Sequence, residues 1–229
     1  MKVIILAAGY GSRMYPLAQD KPKSLLTING ETLLDRQLRI YSQCGIDDVT
    51  VVTGFHSEKI IELYSSKVSI RHNPHYEIVS NLFTLWVVRD LLVDDTIVNN
   101  SDLVFTEQPI RSLLTNEDVY CLVVDKDRVP DAEAFKVKVV DGNIIELSKT
   151  LSMNDTFGEA IGIARIKKEG MELFKQAIFD IVKSDSNAFW SSSFQYIAEK
   201  KHNVNYISIT TPWIEIDTKE DYEEAIKMF

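Results

Sequence analysis

Apolar positions in the first hundred residues follow two periods in alternation. Residues 3–8 form a continuous apolar run that empties into Gly9, too short for a helix and suited to a strand buried on both faces. Residues 32–44 are apolar at three- and four-residue spacing and stop at Gly45, the pattern of an amphipathic helix. The strand pattern returns at residues 48–53 and 68–72, with a helical pattern over residues 57–64 between them. A long apolar helix is predicted over residues 81–92, then a strand ending near Asn99. This alternation predicts parallel strands joined by helical crossovers. It breaks at residues 135–149, where two alternating segments flank Asp141-Gly142-Asn143 and predict an antiparallel hairpin added to the sheet. Helical patterns resume over residues 168–183 and 187–200, followed by a strand at residues 205–209 and an amphipathic helix after Asp217.

Composition narrows the function. With 229 residues, 45% of them hydrophobic and no linker or repeat in view, one large α/β domain is expected. A net charge of −9 argues against nucleic acid or an anionic membrane as the main partner, since both require a broad basic surface. No apolar run approaches the length of a membrane span, and the first residues run straight into strand chemistry without a signal-peptide cleavage region, so a cytoplasmic protein is expected. Cys44, at a helix end, and Cys121, inside a strand, are expected to be free thiols. A homodimer is compatible with this composition.

Against that acidic background Arg13, Lys21 and Lys23 form a local basic cluster beside glycines, which points to a small polyanion. Backbone amides of Gly9-Tyr10-Gly11-Ser12-Arg13 can face an anion at the end of the first strand. Arg13 adds a rigid charged fork and Lys23 a mobile point charge. Met14 stands where a dinucleotide fingerprint needs its third glycine, and no Gly-Lys-Ser/Thr follows, so the loop is a phosphate binder of another kind. Open α/β sheets bind ligands beyond the carboxyl ends of their strands, so the residues after Ala8, Thr53 and Asn99 are expected to share one cleft, Asp102 among them.

Through Leu6-Ala7-Ala8-Gly9-Tyr10-Gly11-Ser12-Arg13, Pro16-Leu17 and Lys21-Pro22-Lys23-Ser24-Leu25, with Asp102 and Trp213-Ile214-Glu215-Ile216-Asp217 later, the chain resembles the nucleotidyltransferase superfamily that makes sugar nucleotides and related activated phosphate esters. The resemblance covers the full length. It implies a three-layer αβα Rossmann-like fold with a mostly parallel central sheet and an inserted antiparallel hairpin. Residues 1–229 would form a single domain, with residues 1–105 as a nucleotide-binding half and residues 106–229 as an acceptor-binding half. The implied reaction is attack by an acceptor phosphate oxygen on the α-phosphorus of a nucleoside triphosphate, releasing pyrophosphate, with the protein supplying position and charge neutralisation. By the same resemblance Leu6, Ala7, Ala8, Gly9, Gly11 and Ser12 would hold the nucleotide. Arg13 would take its β- and γ-phosphates, and Lys23 its α-phosphate and the incoming acceptor. Asp102 and Asp217 would hold Mg²⁺. Asn100 occupies a position where the family often has a second acid, and it can still offer an amide oxygen. Strand alternation puts Glu215 on the face of Asp217, as a ligand, a supporting partner or an acceptor contact. Taken alone, Asp217 also reads as a cap of the last helix.

The stretch from Asn73-Pro74-His75-Tyr76 to Ser80-Asn81-Leu82-Phe83-Thr84-Leu85 resembles bacterial choline-phosphate cytidylyltransferases and the related phosphonate cytidylyltransferases. This implies CTP, with Ser80 and Asn81 near the nucleotide, although Asn81 equally reads as a helix N-cap. Glu133-Ala134-Phe135-Lys136-Val137, Leu147-Ser148-Lys149 and Gly158-Glu159-Ala160-Ile161-Gly162 resemble segments of the same enzymes. Lys149 would then meet the acceptor phosphate, with Phe135, Glu159 and Trp190 around a small phosphorylated or phosphonylated alcohol or amine. Ser191-Ser192-Ser193 after Trp190 departs from the acidic continuation of a choline pocket and favours a more polar acceptor. Two other readings stand beside this one. The compact length disfavours a sugar 1-phosphate nucleotidylyltransferase, and retention of Arg13, Lys23, Asp102 and Asp217 disfavours a non-catalytic nucleotide-binding regulatory module.

Overall fold

In the computed structural model, which describes residues 1–229, the apolar run becomes β1 (Lys2–Ala7), an interior strand of a nine-stranded sheet. One-turn 3-10 segments at Ser12–Met14 and Lys23–Leu25 follow, then the short hairpin β2 (Thr27–Ile28) and β3 (Glu31–Thr32). Thr32 starts α1 (Leu33–Gln43) by accepting the Asp35 amide at 2.9 Å, and Gly45, at φ +78°, lets the chain leave it. β4 (Val49–Thr53), α2 (Ser57–Tyr64), β5 (Ser69–His72), α3 (Asn81–Val87) and β6 (Thr96–Asn100) complete the alternating part. Strands β6-β1-β4-β5 lie side by side and parallel. The helix predicted over residues 81–92 is divided, because α3 ends at Val87 and a 3-10 turn covers Arg89–Leu91. Arg89 donates to the Trp86 carbonyl at 2.9 Å and lies 4.0 Å over its ring, competing with the helical ladder where two valines already disfavour it.

The second half begins with β7 (Leu103–Val104), α4 (Gln108–Thr115) and β8 (Tyr120–Asp125). The hairpin β9 (Phe135–Val140) and β10 (Asn143–Ser148) turns through Asp141 and Gly142, both at positive φ, as a two-residue loop of this kind requires. The chain then forms β11 (Gly158–Ile166), α5 (Met171–Ser184), α6 (Ser192–Glu199), β12 (Asn205–Ser208), β13 (Ile214–Glu215) and α7 (Lys219–Met228). Helix α6 starts later than the predicted residue 187, since Asp185 accepts the Asn187 amide in a local turn that holds the chain out of the helix. Alternate residues of β1 point to opposite layers. Ile4 and Leu6 join the core under α3, α5 and α6, whereas Val3 and Ile5 join the core under α1, α2 and α4. No helix is long and apolar enough to cross a membrane, and Cys44 and Cys121 are both free.

β11 runs antiparallel to three strands. Its later residues pair with β6 and its first three with β9, while β8 follows its other edge with a bulge between Ala160 and Ala164. Gly162 sits in that bulge at φ +83°, and a β-carbon there would lie 2.6 Å from Asn100 Nδ2. Gly162→Ala is therefore expected to cost roughly 2 kcal/mol or more of folding stability, from the left-handed backbone and the clash together. Urea unfolding measures this, and an unchanged midpoint would contradict it.

Candidate active site

The cleft opens where β1 and β6 end and encloses about 480 Å³. Its floor is Leu6, Ala7 and Ala8, followed by the loop Gly9 to Arg13, in which Gly11 at φ +64° starts the 3-10 turn. Asn100, Ser101 and Asp102 enter from the end of β6. The chain after Thr53 does not line the cleft as expected. A β-carbon on Gly54 would fall 2.5 Å from the Ala8 carbonyl and 2.6 Å from the Tyr76 side chain, so this segment backs the cradle and Tyr76 forms the wall in its place.

At the centre, Lys23 Nζ donates to Asp102 Oδ2 at 3.0 Å and to Asp217 Oδ1 at 2.7 Å, and Arg13 Nη2 donates to Asp217 Oδ2 at 2.8 Å. The Lys23 side chain is only 13% exposed. Burial opposes its charge, but Asp102 and Asp217 outweigh that and hold the ammonium above its usual range. Burial would likewise raise the Asp217 carboxyl, yet Lys23, Arg13 and Lys149 together hold it below the usual carboxylate value. Lys23 pulls on Glu215 as well, but here it is outweighed. Burial, then Asp102 and Asp217, push its carboxyl up to about 8.

Oxygens of Asp102, Glu215 and Asp217 lie within 4.8 Å of one another, and Asp102 Oδ1 is buried with no hydrogen-bond partner. Three hard oxygen donors and one orphaned lone pair fit a divalent cation of the Mg²⁺ or Ca²⁺ type. Asn100 does not belong to this set, because its Oδ1 accepts from Trp190 Nε1 at 2.8 Å. Asp217 is also not the cap of α7. Thr218 and Asp221 form a reciprocal capping box, and Asp221 accepts the Asp217 amide at 3.0 Å, leaving the Asp217 carboxylate for the cations.

The opposite wall comes from the open end of the hairpin. Antiparallel pairing of Lys136 with Ser148 places Lys149 across from Phe135. Lys149 Nζ lies 5.4 Å from the Phe135 ring centre and 4.1 Å from that of Phe189, and bonds Glu133 at 3.1 Å. Glu159, on the first turn of pairing in β11, is 9% exposed and lines the same wall. Burial pushes its carboxyl from the ordinary 4.5 to about 7, Arg128 working against the shift and Asp131 and Asp125 with it. A carboxyl raised on folding binds its proton more tightly in the folded state. Its contribution is therefore complete below pH about 4.5 and is lost as the pH rises to about 7, on the order of 3 kcal/mol. Urea unfolding at pH 5 and pH 7.5 should show a smaller fall for Glu159→Gln than for the parent; equal falls would exclude this titration.

Every residue given a role by the family resemblance lines this cleft except Trp190, whereas Lys21 of the basic cluster, like the chain after Thr53, stays outside it. The Trp190 ring is 2% exposed and packs in the core on Phe194. Its main-chain amide donates to Asn81 Oδ1 at 2.9 Å, so it braces the two walls from behind, and the neighbouring Phe189 takes the expected place. Asn81 is correspondingly the first residue of α3, with Ser80 in the cap position and no side-chain cap bond. Trp213, which opens the segment leading to Asp217, is likewise buried, its Nε1 donating to Asp125 Oδ2 at 2.6 Å. Asp131, Glu133 and Phe189 line the cleft without having been singled out. The two acids lie in a Pro- and Asp-containing stretch between strands, a loop signal that carries no direction.

The profile of the MobA-like NTP transferase domain matches residues 3–142, more than half of the chain. The chain belongs to that family. It is a nucleotidyltransferase, and its glycine loop, basic pair and acidic trio share the cleft where β1 and β6 end. It is 27% identical to the CTP:phosphoglutamine cytidylyltransferase of Campylobacter jejuni, across 99% of this chain and the whole of that one. It is 29% identical to the choline-phosphate cytidylyltransferase of Streptococcus pneumoniae over 46% of each chain. Among solved structures, the pneumococcal CTP:phosphocholine cytidylyltransferase superposes with a TM-score of 0.79 at 22% identity, covering 99% of this chain and 97% of that one. The inositol-1-phosphate CTP transferase of T. maritima gives 0.79 at 18% identity, covering 99% and 95%. Identities at this level establish a shared fold.

Proposed function

We propose that this nucleotidyltransferase is an Mg²⁺-dependent cytidylyltransferase that joins CTP to a small phosphorylated or phosphonylated alcohol or amine. The observation that carries the reading is Lys23, held between Asp102 and Asp217 beside Arg13 in a cleft walled by small residues. Two cytidylyltransferase relatives support CTP as the donor. Residues 1–105 supply the cradle and residues 106–229 most of the acceptor wall, with Asp217 returning from the second part to meet the first.

An acceptor phosphate oxygen attacks the α-phosphorus, and the bond from that phosphorus to the bridging oxygen breaks, its electron pair leaving on pyrophosphate. Arg13 holds the β- and γ-phosphates in place of the Asp217 contact. Lys23 brings its ammonium to the α-phosphate, where negative charge has to be screened from the incoming anion. Asp102 and Asp217, with Glu215 beside them, would hold Mg²⁺, which supplies further neutralisation of phosphate charge when bound. Lys149 stands in the acceptor wall, and the small side chains of Ala7 and Ala8 let the base approach main-chain groups.

Pyrophosphate release, assayed with Mg²⁺ and each of the four nucleoside triphosphates against phosphocholine, O-phosphoserine, 2-aminoethylphosphonate and glucose 1-phosphate, tests this. A kcat/KM for CTP about tenfold or more above the other triphosphates is expected. Equal use of all four would overturn the base assignment, and turnover with glucose 1-phosphate alone would overturn the acceptor class.

A further inference from the structure

Two phenyl rings, Phe135 and Phe189, stand in the acceptor wall at 5.4 Å between centres. The other aromatic residues of the cleft, Tyr10 and Tyr76, belong to the cradle side, where Tyr10 packs on Phe55. A quaternary ammonium has no N–H to donate and depends on ring faces for its recognition. Here Lys149 Nζ is already over both rings, 4.1 Å from one centre and 5.4 Å from the other, and Glu133 fastens it at 3.1 Å. The cation that such rings attract is thus part of the protein.

The remaining acids of the wall are arranged differently. Glu159 is nearly buried, and no cation is bonded to it, since Arg128 and Lys136 act on it only at a distance. The Lys136 ammonium is committed to the Lys149 carbonyl at 2.5 Å. Asp131 lines the cleft near Glu159, its Oδ1 accepting the Glu133 and Ala134 amides at 2.7 and 2.9 Å and no side-chain cation pairing with it. A primary ammonium, with three N–H donors, suits two carboxyl groups in a partly dry wall, where a trimethylammonium would find neither a free ring nor a use for the acids.

We propose that Lys149 is a specificity-determining residue that fills the aromatic seat of the acceptor wall, so that the site rejects quaternary ammonium acceptors and takes those with a primary ammonium, received by Glu159. The inference rests on the acceptor being a small phosphate compound, as proposed above, but does not depend on the nucleotide. Its test is calorimetric titration without CTP, comparing phosphoethanolamine with phosphocholine, which differ only in the three methyl groups. The parent is expected to bind phosphoethanolamine at least tenfold more tightly. Lys149→Met, which frees the ring faces and keeps the side-chain length, should narrow or reverse that ratio. Glu159→Gln should weaken phosphoethanolamine severalfold and leave phosphocholine unchanged. Urea midpoints verify that both variants are folded. Equal affinity of the parent for the two ligands, no binding of either, or an unchanged ratio in Lys149→Met would each overturn the proposal. CTP binding, followed separately by thermal shift, sinks or supports the nucleotide assignment without moving the ratio.

Discussion

Asp102→Asn should reduce kcat on the order of 10³-fold, the scale seen when one electrostatic contact to a developing charge is removed, and leave the protein folded. The amide nearly preserves the shape of the side chain. The main chain around it is held independently, with the Ser101 amide on the Leu6 carbonyl at 3.3 Å and the Ile216 amide on the Asp102 carbonyl at 3.0 Å. What changes is charge. The buried Oδ1, which has no protein partner, loses its claim on a cation, and Glu215 loses the carboxylate that contributes most, after burial, to its raised value. Two readouts follow. Mn²⁺ titration should show weakened metal binding, and the Glu215 carboxyl, followed by carbon NMR, should titrate at lower pH. Near-normal turnover with Mg²⁺ would remove Asp102 from the site.

Lys23→Ala should be equally damaging to turnover and, unlike the first change, should also destabilise the protein without metal. The lysine is the counter-charge for Asp102 and Asp217, whose side chains are 22% and 23% exposed, and its loss leaves three carboxyl groups within 4.8 Å of one another with only the more exposed Arg13, and Lys149, which bonds none of them, to offset their charge. Breaking a buried pair costs about 3–5 kcal/mol, and partial exposure brings the expectation here to about 2 kcal/mol. Millimolar Mg²⁺ should recover much of that loss, so the rise in melting temperature on adding the ion should be larger for Lys23→Ala than for the parent. Equal rises would mean that the ammonium and the ion do not share the same carboxylates.

The parts of this site that are contiguous in the chain are legible in the sequence alone. Residues Leu6 to Arg13 combine a buried strand, two glycines and a fixed cation within eight positions, and no distant contact is needed to read them. Asp102 and Asp217 were legible through strand-end placement and family likeness. Elsewhere local pattern carries little. Nothing in the segment before α6 sets which of Phe189 and Trp190 turns inward, because the segment has no regular period and its phase is decided by Asn81 and Asn100 on other elements. β11 escaped because Gly158, Gly162 and the two alanines Ala160 and Ala164 blur the alternation that marks a strand, and its bulge shifts the phase midway. The split of the helix at Val87 depends on Arg89 folding back on Trp86, a side-chain preference that hydrophobic spacing does not encode.

The hairpin β9–β10 enters the sheet through only three residues of β11, Gly158 to Ala160, whereas the later residues of that strand pair with β6. On the proposed reading, phosphoryl transfer and acceptor choice are therefore mounted on different stretches of one strand, separated by Gly162. Phe135 and Lys149 stand at the open end of the hairpin, whereas Val137, Ile144 and Leu147 pack in the core, so changes confined to that open end leave the register that holds Asp102 in place. If that end selects the acceptor as proposed, acceptor preference can diversify there while the transfer reaction is inherited intact, and exchanging the open-end residues alone becomes a direct route to new activated products.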